Sequence, residues 1–219
     1  MSVRRRFGDE ELEAARRATV EAERQSGVEI VAVVVDRCDA YHQALWMAAT
    51  LGALAAATVA TLLHLRWEVW GGPPEVWILL PPLIGAAAGY LAARVADPVR
   101  RLLVPGELLE RRARRRAAEA FVEEQVFDTV DRTGVLILVA LLERRAVVLA
   151  DRGLAERVGE ESWQQVTAEL AEGMRRGRPG PALAEAVRRC GRLAAEAGLR
   201  RRDDDANELG DRIRFPDDE

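Results

Sequence analysis

Lysine is absent from the chain: all 32 basic residues are arginine. That excludes a Walker-type phosphate loop, whose lysine reaches the phosphates, and any Schiff-base or lysine-base chemistry. Cysteine and histidine are almost as scarce. Cys38 and Cys190 fit no metal or redox spacing, and Cys190 falls on the apolar face of an expected helix, so both read as unpaired thiols in a reducing compartment. His42 and His64 stand 22 positions apart in one apolar run; at ~1.5 Å per residue along a helix that is about 33 Å, too far to share a site. There is no Gly-x-Ser-x-Gly elbow, no His-Glu-x-x-His and no dinucleotide glycine fingerprint. Arg4, Arg5 and Arg6 are followed by no apolar stretch, so no secretory signal is expected.

What the chain has in quantity is uncharged apolar sequence. From Ala40 to Leu65, 26 residues pass without a formal charge, and Val76 to Ala93 adds 18 more. At ~1.5 Å rise per residue each is adequate to span a hydrocarbon core of about 30 Å. The stretch between them holds Gly71, Gly72, Pro73 and Pro74, so an antiparallel transmembrane hairpin is predicted, both ends leaving on one side of the lipid bilayer. Trp46, Trp67, Trp70 and Trp77 cluster near the ends of the spans, where indole rings favour the headgroup region. A buried helix pair in a soluble protein would need the remaining chain, about 160 residues, to cover two nearly uncharged helices on every face. Gly85 and Gly89 form a small-xxx-small motif, with Ala48, Gly52, Ala55 and Ala56 as a matching face. That motif either seals the hairpin or pairs two copies as a homodimer. Pro81 and Pro82 are expected to kink the second helix. A channel or transporter is disfavoured because neither span carries a charge inside it.

Arginine is also distributed unevenly. Arg94, Arg100, Arg101, Arg111, Arg112, Arg114, Arg115 and Arg116 follow the second span, against Arg66 alone in the loop. Positive residues stay on the cytoplasmic side, so a multi-pass protein of the inner (cytoplasmic) membrane with both termini cytoplasmic is expected. The same arginines are not expected to bind nucleic acid, because no aromatic residues are interleaved for base stacking.

The remainder reads as one α/β domain. Asp9 to Ser26 is predicted helical with Gly27 as its stop; Val28 to Val35 is an apolar, β-branched strand ending at Asp36. A long helix is expected over Glu107 to Val130, then strands over Gly134 to Leu142 and Ala146 to Ala150 joined as an antiparallel hairpin. Trp163, Val166, Leu170 and Met174 mark one amphipathic helix, and Pro181 opens another carrying Leu183, Ala186, Val187, Cys190 and Leu193. The expected fold is therefore a three-layer α/β sandwich with a small mixed β-sheet, interrupted by a two-helix transmembrane hairpin. Its parts are residues 1–39, the hairpin 40–94, the second domain segment 95–199 and a charged tail 200–219. Asp36 and Asp39 after the first strand, with Glu143, should share one sheet edge, the one toward the bilayer; Asp151 should lie at the opposite edge.

Four short motifs carry a resemblance. Glu21 to Val31 (Glu-Ala-Glu-Arg-Gln-Ser-Gly-Val-Glu-Ile-Val), Arg132 to Ile137 (Arg-Thr-Gly-Val-Leu-Ile), Ala150 to Leu154 (Ala-Asp-Arg-Gly-Leu) and Asp205 to Leu209 (Asp-Ala-Asn-Glu-Leu) resemble the TPM-domain family, in particular its bacterial membrane branch with a hairpin inside the domain. The resemblance implies an α/β sandwich and assistance to membrane complexes, as in thylakoid-lumen relatives linked to photosystem repair and a receptor-auxiliary relative. It also implies a phosphatase activity and divalent-cation binding proposed for some members. The chain departs from these relatives by having its anchor inside the domain, and by Gly210 where proline is expected. Two functions follow as expectations. The first is a noncatalytic module that assists assembly, repair or regulation of a membrane protein complex. The second is a metal-dependent phosphatase using Ca2+ or Mg2+, for which Asp36, Asp39 and Asp151 are the candidate metal ligands, drawn from two separate edges. Asn207 and Glu208 either fold the tail back over the domain or cap a turn.

Overall fold

The structure, a computed structural model, describes residues 7–67, 74–129, 131–199 and 213–216. The loop with Gly71, Gly72 and Pro73, the side chains of Trp67, Trp70 and Trp77, and the motif at 205–209 lie outside the described residues. The chain forms two compact units, one of Met1–Cys38 with Leu109–Glu219, the other of Asp39–Leu108.

In the first unit, helix α1 (Asp9–Ser26) begins with three acids, Asp9, Glu10 and Glu11, which suit the positive end of a helix. Its small face, Ala15, Ala18 and Ala22, is buried, and Gly27 ends it in the left-handed conformation at φ 61°. Strand β1 (Glu29–Val35) pairs in parallel with β2 (Gly134–Ala140), Glu29 opposite Gly134 and Val35 opposite Ala140. β2 pairs antiparallel with β3 (Arg145–Ala150), so the sheet is mixed, in the order β1-β2-β3. Strand periodicity divides its side chains into two cores. Ile30, Ala32, Val34, Val135, Ile137 and Val139 pack against α1, α7 (Glu160–Arg175) and α8 (Pro179–Glu196). Val31, Val33, Val35, Leu136, Leu138 and Ala140 pack against Ala117 and Ala120 of helix α5 (Gly106–Glu123). Helices on both faces make the three-layer α/β sandwich expected from the sequence, and burial on both faces is why β1 after Glu29 and β2 are continuously apolar rather than alternating.

Some boundaries differ from expectation. The helix expected to run to Val130 stops at Glu123. Gln125 takes a left-handed turn at φ 53°, the Val126 N–H returns to the Phe121 carbonyl, and Val126 is buried beside β2. The contact is so close that a Cβ at Gly134 would lie 2.0 Å from the Val126 oxygen, so only glycine fits there. Two short helices were not anticipated: α6 (Arg152–Val158) in this unit, and α4 (Asp97–Leu102) in the other. α8 starts at Pro179, ahead of the expected Pro181.

The second unit is a helical hairpin of α2 (His42–Trp67) and α3 (Pro74–Val95), followed by α4. Its seam is made by backbone approach. A Cβ at Gly52 would meet the Gly85 oxygen at 2.1 Å, and one at Gly89 the Ala48 oxygen at 2.2 Å. The small-xxx-small face is thus taken up inside the hairpin. Two stretches, His42–Arg66 and Ile78–Val95, are long and apolar enough to cross a membrane, and few of their residues are buried. Leu54, Leu62, Ile78, Leu83 and Ile84 all point outward. The hydroxyls of Thr50, Thr58 and Thr61 bond to carbonyls one turn back in α2, which leaves no unmet donor on that surface from these side chains. Pro81 and Pro82 sit inside α3, which continues through them as one element. Beyond it the chain turns back: buried Arg100 of α4 donates from Nε to the Ala93 carbonyl (3.1 Å) and from Nη2 to the Arg94 carbonyl (2.8 Å). Those are carbonyls the end of α3 would otherwise leave unpaired.

Candidate functional site at the edges of the sheet

The carboxyl edge of the parallel pair is the ordinary place for a ligand in an open α/β sheet. Here β1 ends at Asp36 and β2 runs into a tight turn in which Arg144 is left-handed at φ 51°. Main-chain bonds tie the two exits together, Leu141 N–H to the Val35 carbonyl (3.0 Å) and Leu142 N–H to the Asp36 carbonyl (2.8 Å). Glu143 is 3% exposed, and its Oε1 accepts the Cys38 N–H at 2.8 Å. That carboxylate therefore holds the chain as it leaves β1. Arg37 approaches Asp36 at 3.7 Å, a solvent-screened pair of little energetic weight. Asp39 belongs to the other unit, where its Oδ1 accepts the N–H of neighbouring Ala40 at 2.6 Å.

Asp151 stands at the opposite edge. It follows β3, whose register sets Ala150 across from Val135 at the start of β2, and its N–H bonds to the Gly134 carbonyl at 2.8 Å. Its side chain caps α6: Oδ1 accepts the Arg152 N–H at 2.7 Å, while Arg132 stands 3.9 Å from Oδ2. Asp36 and Asp151 are thus at opposite ends of the strands, and no group of three or more His, Cys, Asp or Glu that could hold a metal occurs among the described residues. The register thus keeps Asp36 and Asp151 from serving one cation together.

What the structure does bring together is the set of recurring glycine motifs. Gly27, the Arg132-Thr-Gly stretch and the Asp151-Arg-Gly stretch meet at the amino edge of the sheet. Thr133 donates from Oγ1 to the Gly27 carbonyl at 3.4 Å, and its N–H bonds to the Thr129 hydroxyl. A Cβ at Gly153 would lie 2.7 Å from the carbonyl oxygens of both Asp131 and Arg132, so α6 can start there only from glycine. Three of the four motifs therefore share one job, the close packing of turns around the ends of β1, β2 and β3. The fold is similar to that of a solved protein. An NMR structure of the BA42 protein from the psychrophilic bacterium Bizionia argentinensis, a TPM-like protein, superposes with TM-score 0.56 at 15% identity, over 95% of this chain and 94% of that one. At that identity the likeness is one of fold. No protein-family model and no curated protein matches the chain.

One further contact escaped the sequence. Residues 213–216 return to the outer edge of β1: Arg214 bridges Val33 in parallel, its N–H bonding to the Ala32 carbonyl and its carbonyl accepting from Val34, both at 2.9 Å. Arg214 Nε also meets Glu124 Oε2 at 2.9 Å. The signal was present in the alternation Ile213, Arg214, Phe215, but a single short alternation inside an acidic tail is indistinguishable from solvated chain until the edge it meets is known.

Proposed function

We propose that the chain is a membrane-anchored, TPM-like interaction module that assists assembly, repair or regulation of a membrane protein complex. The observation that carries this is the hairpin. α2 and α3 seal to one another through Gly52, Gly85 and Gly89 and turn Leu54, Leu62, Leu83 and Ile84 outward, which suits lipid and not water. The arginine bias, Arg94 through Arg116 against Arg66, supports cytoplasmic termini in an inner membrane. The four motifs and the fold shared with BA42 support the TPM-like assignment. A binding role asks nothing of the carboxylates beyond what they already do: Asp151 caps a helix and Glu143 holds a strand exit. The phosphatase alternative would draw on Asp36 with Asp39 after β1, or on Asp151 after β3, since the register keeps Asp36 and Asp151 apart.

The test is extraction of the full chain from native membrane in mild detergent, with a phosphate-release assay on the purified protein with and without Mg2+ or Ca2+. The expected result is a stoichiometric membrane-protein partner and no metal-dependent turnover. Turnover abolished by Asp36→Asn would overturn the proposal in favour of the phosphatase.

A further inference from the structure

An edge strand offers a row of backbone groups to any extended segment that reaches it, and proteins normally blunt such an edge. β1 is an edge of this sheet, since the strand order begins with it. Among the described residues, two elements blunt it. Near the start of the strand, Glu23 reaches across from α1 and its Oε1 accepts the Ile30 N–H at 3.2 Å. In the middle, the only main-chain bonds among the described residues come from Arg214, one to Ala32 and one from Val34. The described part of the docked segment, residues 213–216, is held by its side chains as well. Ile213 and Phe215 pack onto the larger core, and Arg214 pairs with Glu124, each side chain 26% exposed. Pro216 follows at once, and without an N–H it cannot extend the ladder.

We propose that this outer edge of β1 is a strand-addition site for the protein partner, and that the chain's own C-terminal segment is its displaceable occupant. The partner segment would be extended, run parallel to β1 and carry the pattern apolar, arginine, apolar, its arginine taking the place of Arg214 against Glu124. Main-chain bonds to Ala32 and Val34 would supply general affinity; the Glu124 pair and the two apolar seats would supply choice. The tethered segment competes at an effective concentration of order mM, so a free segment enters well only when the tail is released or the partner is itself held close in the membrane. The inference deepens the interaction-module proposal and rests on it for the existence of a partner.

The experiment uses a fluorescent peptide of the chain's own last nine residues, Asp-Arg-Ile-Arg-Phe-Pro-Asp-Asp-Glu. Its anisotropy is followed against the detergent-solubilised chain, either intact or ending at Gly210. The peptide is expected to bind the shortened chain and to bind the intact chain at least tenfold more weakly. Replacing the peptide's second arginine by glutamate should abolish binding, and Glu124→Arg in the shortened chain should restore it for that altered peptide. If shortening unfolds the chain, recovery of its near-UV signal on adding peptide supports the site, and failure to recover overturns it. Equal binding to intact and shortened chains, or none to a folded shortened chain, also overturns it. Because no partner is in the assay, peptide binding without any co-purifying protein would sink the interaction-module reading and leave the site standing.

Discussion

Residues of the same type have opposite circumstances in this protein, and burial decides which is which. Cys190 lies wholly inside the core between α8 and its neighbours, and loss of water pushes its thiol up to about 12, because the thiolate is the form that suffers from desolvation. Unfolded, the same thiol ionises near its ordinary 9.0, so between about 9 and about 12 the unfolded chain gives up a proton that the folded chain retains. Stability is therefore full below pH about 9 and falls as pH rises toward 12. Denaturant titrations across that window should show the decline, and Cys190→Ala should flatten it after allowing for the small cavity. Rapid alkylation of Cys190 in the native protein at neutral pH would contradict this. The apolar face that hides Cys190 was legible in the spacing of Leu183, Ala186, Val187 and Cys190, because periodicity is a local property. The fit of Gly134 beneath Val126 was not, because it depends on a turn whose partner strand is chosen only in three dimensions.

Elements were predicted well where their ends carry local chemistry. α1 starts on its acids and stops on Gly27, as its sequence indicates, and β1 and β2 announce themselves as almost wholly apolar runs. α5 was expected to be longer because Phe121, Val122, Val126 and Phe127 continue an apolar pattern; Val126 instead leaves the helix to enter the core. The Asp-Arg-Gly motif belongs to this scale. Asp151 caps α6, so Asp151→Ala should lower stability by about 1 kcal/mol, whereas Asp151→Asn, an equally good cap, should stay within a few tenths of wild type by chemical denaturation. Loss of comparable size in both variants would mean that the charge, facing Arg132, matters more than the cap. α6 itself was hidden because its signal, an Asp two residues before a glycine, is equally the signal of a turn.

At the scale of the whole molecule, the sequence was clearest about the hairpin and least clear about the tail. Long uncharged runs need no partner to be recognised, and α2 and α3 follow them closely. The docking of Ile213, Arg214 and Phe215 on β1 joins residues about 180 positions apart in sequence, a pairing for which local pattern holds no information. Strand order puts Asp36 at one edge and Asp151 at the other, as the structure shows, and Asp151 caps α6 there.

The central claim is that α2 and α3 cross a bilayer and return. It is tested most directly by thiol labelling in a Cys38→Ser, Cys190→Ala chain carrying one new cysteine, at Gly71 or at Asp218. An impermeant maleimide applied to intact cells should modify Gly71→Cys at once and Asp218→Cys only after the membrane is opened. Equal modification of both positions in sealed cells, or release of the chain from membranes by alkaline carbonate, would contradict the account.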